Sequence, residues 1–507
     1  MANPSLQIGN GKWAIKEDNL LGYSKAGTRF VPEPITMTRE SAGTRVNSSG
    51  LVETVELLGS EDVVNGSFTT DSDWNTSATG ISIAGGKLLR DATATLSIVQ
   101  LSSVITPSVT YKITFEIVDY TSGTLTPRFG WNGTGGTAVS GVGTYTQIIT
   151  KVNQNVIELY GTAFIGSITN VSVKEVTKNN LARVDYDGAA SSLLAEPMRT
   201  NLLTYSEDFS QGVWVKTDAN IVSNFGISPS GNLDADKITF DTTNVQARAQ
   251  VNLSGLTSGN EYNQSYYLKS LGSDVTLRIG TSGAVAGEFV DVIATSEWQR
   301  FDITTTASGT TEYPRFQNIN GIINTEILVW GAQMEAGSYA TSYIPTDGST
   351  VTRVQDQYSK TGISNLINSE EGVLFVEIAS LSESGNYREL GLSDGTTSNR
   401  VLISYKSTDN VIRGSFQGSG GANLEYTVTS SKDFHKIAVK WKVNDFALWV
   451  DGVEVGSDTS GSSFPADTLN SLALDDGGGA SKFFGKVKQL QVFKTALTDS
   501  ELIALTT

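Results

Sequence analysis

The side chains of this sequence that could do chemistry are mostly carboxylates, because it holds no cysteine and one histidine. A glycosidase needs two carboxylates facing each other across a sugar, about 5–10 Å apart. The acidic pairs here are adjacent in sequence: Glu61-Asp62, Glu207-Asp208, Glu370-Glu371 and Asp475-Asp476. Neighbouring residues of a strand point to opposite faces. We therefore interpret these pairs as solvated turn residues and predict that the protein is not an enzyme.

The missing cysteines also exclude disulfides, thiolate nucleophiles and Cys-based zinc sites. The histidine, His435, precedes "KIAVKW" with no nucleophile motif near it. A lone histidine of this kind is more often a packing or strand-edge residue than a base. We predict a structural role for it.

Two acidic loops are candidates for calcium, which prefers hard oxygen ligands. In "NLDADK" (232–237), Asp234 and Asp236 alternate with Leu233 and Ala235. In "LALDDGGGAS" (472–481), the carboxylates are Asp475 and Asp476. Neither loop has the regular spacing of a dedicated calcium loop. Structural calcium is left open, and no cofactor is required.

Aromatic side chains in polar loops are candidates for glycan binding, since the apolar face of a sugar stacks on a ring. Trp131 in "RFGWNGTGG" and Tyr313 in "TTEYPRF" have this context. Packing in the core or between subunits is the alternative for both. The tryptophans on alternating strands are predicted to be core residues: Trp298, Trp330, Trp441 and Trp449.

The elements that must position these residues are strands. "YKITFEIVDY" places Ile113, Phe115 and Ile117 on one face, and "FALWVDGVEV" turns at Asp451-Gly452, a strong hairpin signal. One short helix is predicted at "LTDSELIALTT", capped by Thr498. The pattern predicts an all-β chain of serial β-sandwiches.

Charge and hydropathy restrict the partners. The formal net charge of -17 argues against nucleic acid, which requires clustered Lys and Arg. No apolar run approaches the roughly 20 residues that span a bilayer. The first residues, "MANPSLQIGNGKWAIKEDN", lack the pattern of a secretory signal, so we expect no export by a cleaved signal.

An aromatic phrase occurs twice, as "VVNGSFTTDSDW" (63–74) and "NLLTYSEDFSQGVW" (201–214). Each begins a tract of short strands in the same order. The aligned landmarks are Tyr111 with Tyr262, Phe115 with Tyr266, Tyr145 with Trp298 and Ile148 with Phe301. This predicts a duplicated jelly-roll sandwich whose aromatic pair, Phe209 and Trp214, anchors the core.

Five segments follow from this organisation. An extended N-terminal attachment segment is predicted at 1–56 and an inserted jelly-roll at 57–179. The attachment segment returns at 180–200. A jelly-roll at 201–357 and a further sandwich at 358–507 complete the chain.

Three stretches resemble bacteriophage fibre and structural proteins. "TRESAGTRVNSSGLVETV" (38–55) and "NLARVDYDGAASSLLAEPMRTNLLTYSEDF" (180–209) resemble two halves of one phage phrase. Residues 201–350 resemble the carbohydrate-binding-module-like jelly-roll of the same proteins, and 371–505 resemble the concanavalin A-like, laminin-G-like fold. Residues 1–37 resemble no family.

The resemblance implies a virion fibre on the outer surface of the particle, made in the bacterial cytoplasm and commonly a homotrimer. Its partners would be capsid or tail proteins, through the N-terminal segment, and host-surface glycans. Attachment to the head or to the tail stays open. The alternatives are a polysaccharide-degrading tail spike, or depolymerase, and a bacterial surface lectin or adhesin.

Overall fold

The computed structural model describes residues 2–10, 13–16, 19–26, 29–95, 97–101, 106, 108–130, 134–150, 156–240, 247–282, 288–319, 325–383, 385–421 and 423–507. These residues form an almost all-β chain, which confirms the predicted fold class. They divide into two compact units, residues 56–178 and residues 1–55 with 179–507. The first unit corresponds to the span predicted as an insertion.

The inserted unit is a sandwich built around two long strands that bend. Tyr111 and Phe129 lie near opposite ends of one strand, yet their ring centroids are 5.3 Å apart. Register shifts between Thr114 and Thr124 allow that bend. The strands are Leu57–Glu61, Ile81–Ala84, Lys87–Arg90, Ile98–Leu101, Thr110–Phe129, Thr134–Gly135, Gly143–Thr150 and Val156–Thr177.

The jelly-roll of the second unit packs one sheet against another. The first sheet contains Trp214–Thr217, Arg248–Val251, Val275–Thr281, Phe289–Ala294 and Pro314–Asn318. The second contains Ala219–Ile227, Leu233–Phe240, Glu261–Ser270, Gln299–Thr306 and Thr325–Ala336. Strand pairs at its margins are Thr44–Val46 with Val52–Thr54, Arg199–Asn201 with Val351–Arg353, and Leu253–Ser254 with Thr311–Glu312. Side chains from both sheets share one apolar core.

The aromatic phrase has the same structure in both copies. Phe68 and Trp74 have centroids 5.2 Å apart, and Phe209 and Trp214 are 4.7 Å apart, all four buried. Each indole donates to the carbonyl nine residues before it, on Asn65 at 3.2 Å or on Tyr205 at 2.9 Å. The aromatic pairs are therefore core anchors, as predicted.

A second shared hydrogen bond supports the duplication, but two of the four predicted landmark matches are wrong. The hydroxyls of Tyr111 and Tyr262 each accept from the backbone N–H five residues earlier, at 2.9 Å. Phe115 pairs with Tyr145, and Tyr266 pairs with Phe301. Tyr145 therefore corresponds to Phe301, so the predicted matches of Tyr145 with Trp298 and of Ile148 with Phe301 are both wrong. Cross-strand register, not sequence spacing, sets the equivalence.

The C-terminal sandwich recruits the N-terminal segment. Leu6 pairs with Val492 and Met37 with Tyr358, and both Leu6 and Met37 lie in the sandwich core. The segment is thus part of a sheet and not the separate extended head that the sequence suggested. Its prolines and polar residues led to the prediction of an extended segment, because its partner strands lie at the far end of the chain.

The strands of this sandwich come from three parts of the sequence. The first two parts supply Leu6–Gly9, Ala14–Lys16, Asn19–Ala26, Arg29–Thr38, Arg183–Asp187 and Ala190–Ala195. The third supplies Gln357–Lys360, Gly372–Ser380, Arg388–Ser393, Arg400–Tyr405, Val411–Gln417, Leu424–Thr427, His435–Trp441, Phe446–Val450, Val453–Asp458, Ser471–Ala473 and Gly485–Phe493. A short 3-10 turn lies at Ser364–Leu366.

Two local predictions for this sandwich are confirmed. Asp451 and Gly452 form a two-residue hairpin turn with φ of 49° and 84°, which matches the twist of the strands. The helix Asp499–Thr506 begins after Thr498, whose hydroxyl accepts from the N–H of Glu501. Among the residues described, no helix has the length and apolar character needed to cross a membrane.

A buried ionic network joins the jelly-roll to the C-terminal sandwich. Asp356 binds Arg39 at 2.7 Å and also Arg183, while Glu196 binds Arg183 at 2.6 Å and Arg353 at 2.9 Å. All five side chains are at most 3% exposed. The two halves of the phage-like phrase supply Arg39, Arg183 and Glu196, so the fold brings the two halves together at this network.

Paired charges and close packing hold this network. Burial by itself would raise the pKa of Glu196. The positive charges of Arg353 and Arg183 outweigh that effect and keep this pKa well below its ordinary value. The ionised Glu196 therefore stabilises the folded state above about pH 4.5, and this stabilisation is lost as the pH falls below that value. Gly43 lies against the network, where an added Cβ would be 2.8 Å from Cζ of Arg39.

Removal of the inserted unit is expected to leave the other unit folded. Leu57 and Thr177 are cross-strand partners, so the two ends of the insertion lie side by side. We predict that replacing residues 58–176 by a short Gly-Ser linker shifts the remaining thermal transition by less than about 3 °C, roughly 1 kcal/mol. Near-UV circular dichroism during heating measures this, with the isolated 56–178 fragment as the companion sample. Loss of the transition would contradict the prediction.

The ionic network is expected to be sensitive to the loss of one charge. Asp356→Asn leaves Arg39 and Arg183 short of a countercharge and should cost about 3–5 kcal/mol of unfolding free energy. The matched control is Asp291→Asn, whose partner Arg278 is solvent-exposed, for which about 0–1 kcal/mol is expected. Urea unfolding followed by near-UV circular dichroism compares them, and equal losses would exclude a special role for the network.

Candidate functional site

Of the two residues predicted to bind glycans, Tyr313 lies within the described part of the chain. Trp131 lies outside the described residues. Tyr313 is half-buried at the edge of the jelly-roll, and its backbone N–H donates to Oγ1 of Thr281 at 3.0 Å. It is not among the residues that line the large groove described below.

The first candidate calcium loop uses its carboxylates to hold backbone. Asp236 is buried and accepts from the N–H groups of Phe209 and Asn224, at 2.8 and 2.9 Å. Burial raises the pKa of Asp236 to about 6. Asp234 accepts from the hydroxyl of Ser230 at 3.2 Å. Both carboxylates of this loop therefore already accept from donors of the protein itself.

The second candidate loop is closed in the same way. Oδ1 of Asp476 accepts from the N–H groups of Gly478 and Ala480, both at 2.9 Å. Oδ1 of Asp475 accepts from Gly477 at 2.7 Å. No cluster of three metal-ligating side chains occurs within the described part of the chain. These carboxylates have the geometry of turn acceptors.

The remaining sites considered in the sequence have structural partners. Glu207 accepts from the hydroxyl of Tyr343 at 2.8 Å, and burial raises its pKa, whereas Asp208 accepts from the N–H of Ser210 at 3.0 Å. Nδ1 of His435 lies 2.6 Å from Asp451, and Nε2 lies 2.9 Å from the carbonyl oxygen of Ser430. The histidine thus ties the strand start to a hairpin turn.

A groove between the jelly-roll and the C-terminal sandwich is the candidate functional site. It has a volume of about 1170 Å³, and residues from both sandwiches line it. Pockets for small molecules typically measure about 300–1,000 Å³ and prefer domain interfaces. The jelly-roll contributes Arg199, Glu261 and Tyr339, and the sandwich contributes Tyr387, Arg388, Lys482 and Phe484.

Strand ends position the jelly-roll wall of this groove. Tyr339 follows the strand Thr325–Ala336 after a bend at Gly337, whose N–H donates to the carbonyl of Glu261 at 2.9 Å. The guanidinium of Arg199 lies 5.4 Å from the centroid of the Tyr339 ring and 3.8 Å from the carboxylate of Glu335. The charge pair and the ring contact fix the direction of both side chains.

The opposite wall is built where two strands of the sandwich begin. The N–H of Glu389 donates to the carbonyl of Ser481 at 2.8 Å, which brings Tyr387 and Arg388 beside Lys482 and Phe484. Arg388 is 7% exposed, while Tyr387 and Phe484 are half-buried. The groove therefore presents aromatic rings and fixed cations on both sides.

The sequence contained a weak signal for this groove. Tyr339 in "AGSYAT" and Tyr387 in "SGNYRE" are tyrosines in polar, glycine-containing loops, the context used to select Trp131 and Tyr313. Nothing local distinguishes the four. Only the pairing of distant strands brings two of them to one groove.

Comparison with known proteins identifies the C-terminal sandwich. Residues 370–503 match the concanavalin A-like lectin/glucanases superfamily, which confirms the concanavalin A-like, laminin-G-like prediction for this domain. The match covers about a quarter of the chain, so it does not assign the whole protein to that family. No curated protein matches the chain.

Carbohydrate-binding modules occur among the similar solved structures, at low scores. Ruminococcus gnavus IT-sialidase CBM40 bound to alpha2,3 sialyllactose is 19% identical, with a TM-score of 0.24, covering 27% of this chain and 83% of its own. The CBM22-1–CBM22-2 tandem domain from Paenibacillus barcinonensis Xyn10C is 12% identical, with a TM-score of 0.22, covering 55% and 98%. Similarity at this level carries no argument about the ligand of this chain.

Proposed function

We propose that this protein is a non-catalytic fibre of a bacteriophage virion, on the head or the tail, whose groove binds glycans of the host surface. The observation that carries glycan binding is the groove between the two sandwiches. Tyr339 and Tyr387 offer faces against which a sugar ring can stack, and Glu261 and Asn386 offer hydrogen bonds to hydroxyls. This combination of flat apolar faces and polar edges matches the surface of a pyranose.

Binding without cleavage is favoured over a depolymerase by the carboxylates. Of the described residues that line the groove, Glu261 alone carries one. Glycoside hydrolysis in most families needs a pair of carboxylates across the scissile bond. The carboxylates of the candidate calcium loops accept from donors of the protein itself, and we propose that no metal is required for binding.

The proposed virion assignment is supported by the phage-like phrases and by the buried ionic network to which they contribute. Both halves of the phrase contribute to the buried ionic network, which joins the sandwiches without disulfides. We propose that three chains associate as a homotrimer and that it attaches to capsid or tail proteins, with residues near the N-terminus as the contact. Several weak groove contacts per particle would then add through avidity. A bacterial lectin is the alternative.

Loss of either groove tyrosine is expected to weaken glycan binding. Tyr339→Ala and Tyr387→Ala each remove one stacking face, and we predict about a tenfold loss of affinity, roughly 1.4 kcal/mol. The matched control is Tyr426→Ala, since Tyr426 is 42% exposed on the same sandwich and does not line the groove. A panel of host-surface oligosaccharides measured by biolayer interferometry provides the readout.

Two results of that panel would contradict the proposal. Binding that is unchanged in both groove variants but reduced in the control would place the site elsewhere. Release of new reducing ends from any bound oligosaccharide would favour the depolymerase.

The fibre assignment has its own measurement. We expect light scattering of the purified chain at micromolar concentration to give three times the chain mass. Antibodies against residues 56–178 should label the outer surface of intact virions in electron micrographs. A strict monomer that labels no particle would favour the lectin alternative.

A further inference from the structure

The charge of the groove is opposite to that of the chain. The whole sequence carries a formal net charge of -17, but the charged residues that line the groove are Arg199, Arg388 and Lys482 against Glu261. Acidic residues outnumber basic ones by 53 to 36 overall, so a basic groove is not what composition alone predicts. This local excess of cations points to an anionic ligand.

Arg388 is the unusual member of this set. It is 7% exposed, and its Nη1 donates to the hydroxyl of Ser380 and to the carbonyl of Ser382. No described residue forms a hydrogen bond with its buried Nε or Nη2. Within the described residues, no carboxylate lies at ion-pair distance from this guanidinium, so its positive charge is not neutralised by a direct neighbour.

The other buried arginines of the same unit have a carboxylate partner, which Arg388 lacks among the described residues. Arg39, Arg183 and Arg353 each bind a buried carboxylate at the ionic network. An isolated buried charge is costly, and a fold that retains one without a countercharge gains when an anion arrives. Arg388 also lies in a poorly screened environment, where its attraction for an anion in the groove is stronger than in water.

The half-buried cations of the groove, Lys482 and Arg199, have donors left for direct contact. Lys482 donates to the carbonyl of Gly479, and an ammonium group has three donors. Nη1 of Arg199 donates to the carbonyl of Met198 at 3.1 Å, while its Nε faces Glu335 at 3.8 Å. Both side chains are half-buried. A sugar stacked on Tyr339 or Tyr387 would place its substituents among these groups.

We propose that the groove binds a glycan whose sugars carry carboxylates, such as uronic or sialic acids, with Lys482 and Arg199 contacting the carboxylate and Arg388 supplying fixed positive charge beneath it. This inference rests on the proposed glycan binding and adds the class of sugar. A carboxylate suits the site because ammonium and guanidinium donors form their strongest hydrogen bonds to it.

The test compares acidic glycans with neutral counterparts on the full chain. The panel pairs oligogalacturonates with their carboxyl-reduced counterparts, and sialyllactose with lactose, in isothermal titration at low and at physiological salt. We expect at least one acidic member to bind about tenfold more tightly than its neutral partner, and this preference to shrink as salt rises.

Variants assign the preference to the groove. Lys482→Gln should reduce affinity for the acidic member about three- to tenfold and leave the neutral member unchanged. Lys432→Gln is the matched control, because Lys432 is exposed and does not line the groove. Arg388→Gln should act like Lys482→Gln, and Arg388→Lys should retain the preference; thermal unfolding identifies any Arg388 variant that fails to fold, in which case Lys482→Gln decides.

The outcomes separate this inference from the proposed function. If every acidic member binds no better than its neutral partner, or if Lys482→Gln weakens both equally, the inference is wrong and glycan binding stands. If neither acidic nor neutral members bind at all, the proposed glycan binding fails together with it.

Discussion

The buried ionic network is the constraint on which the larger unit depends. Three arginines and two carboxylates from three distant segments meet out of contact with water. Each charge is tolerable only while its partners stay in place, because an unpaired buried ion costs several kcal/mol. The jelly-roll and the C-terminal sandwich must therefore meet in one arrangement. The same arrangement positions the groove. Its residues Arg199 and Tyr339 lie three positions along the chain from Glu196 and Ser342, which belong to or contact the network.

Three predictions that depend on near neighbours in the sequence are confirmed. The burial of Phe209 and Trp214, the hairpin at Asp451-Gly452 and the cap at Thr498 all follow from local alternation or turn chemistry. The N-terminal strands could not be placed in this way. Leu6 pairs with Val492, and no pattern within residues 1–56 specifies a partner at the other end of the chain. Nonlocal register is also what corrected the alignment of Tyr145.

The candidate site was harder to predict than the fold for the same physical reason. A tyrosine in a polar loop has the same local sequence pattern whether it lines a groove, as Tyr339 does, or does not, as Tyr313 does not. Acidic loops are similarly ambiguous. Asp236 and Asp476 satisfy backbone N–H groups that would otherwise lack partners, a role that needs the same carboxylates as calcium.

A rigid groove and weak individual glycan contacts are compatible in a fibre. A groove fixed by buried charges requires little reordering when a sugar enters, so less of the interaction energy is lost to entropy. On the proposed function, repeated chains then convert modest affinity into firm attachment. The inserted sandwich fits this logic, because Leu57 and Thr177 lie side by side and a module can be added there without disturbing the network. Such a chain can change its reach and keep its binding groove.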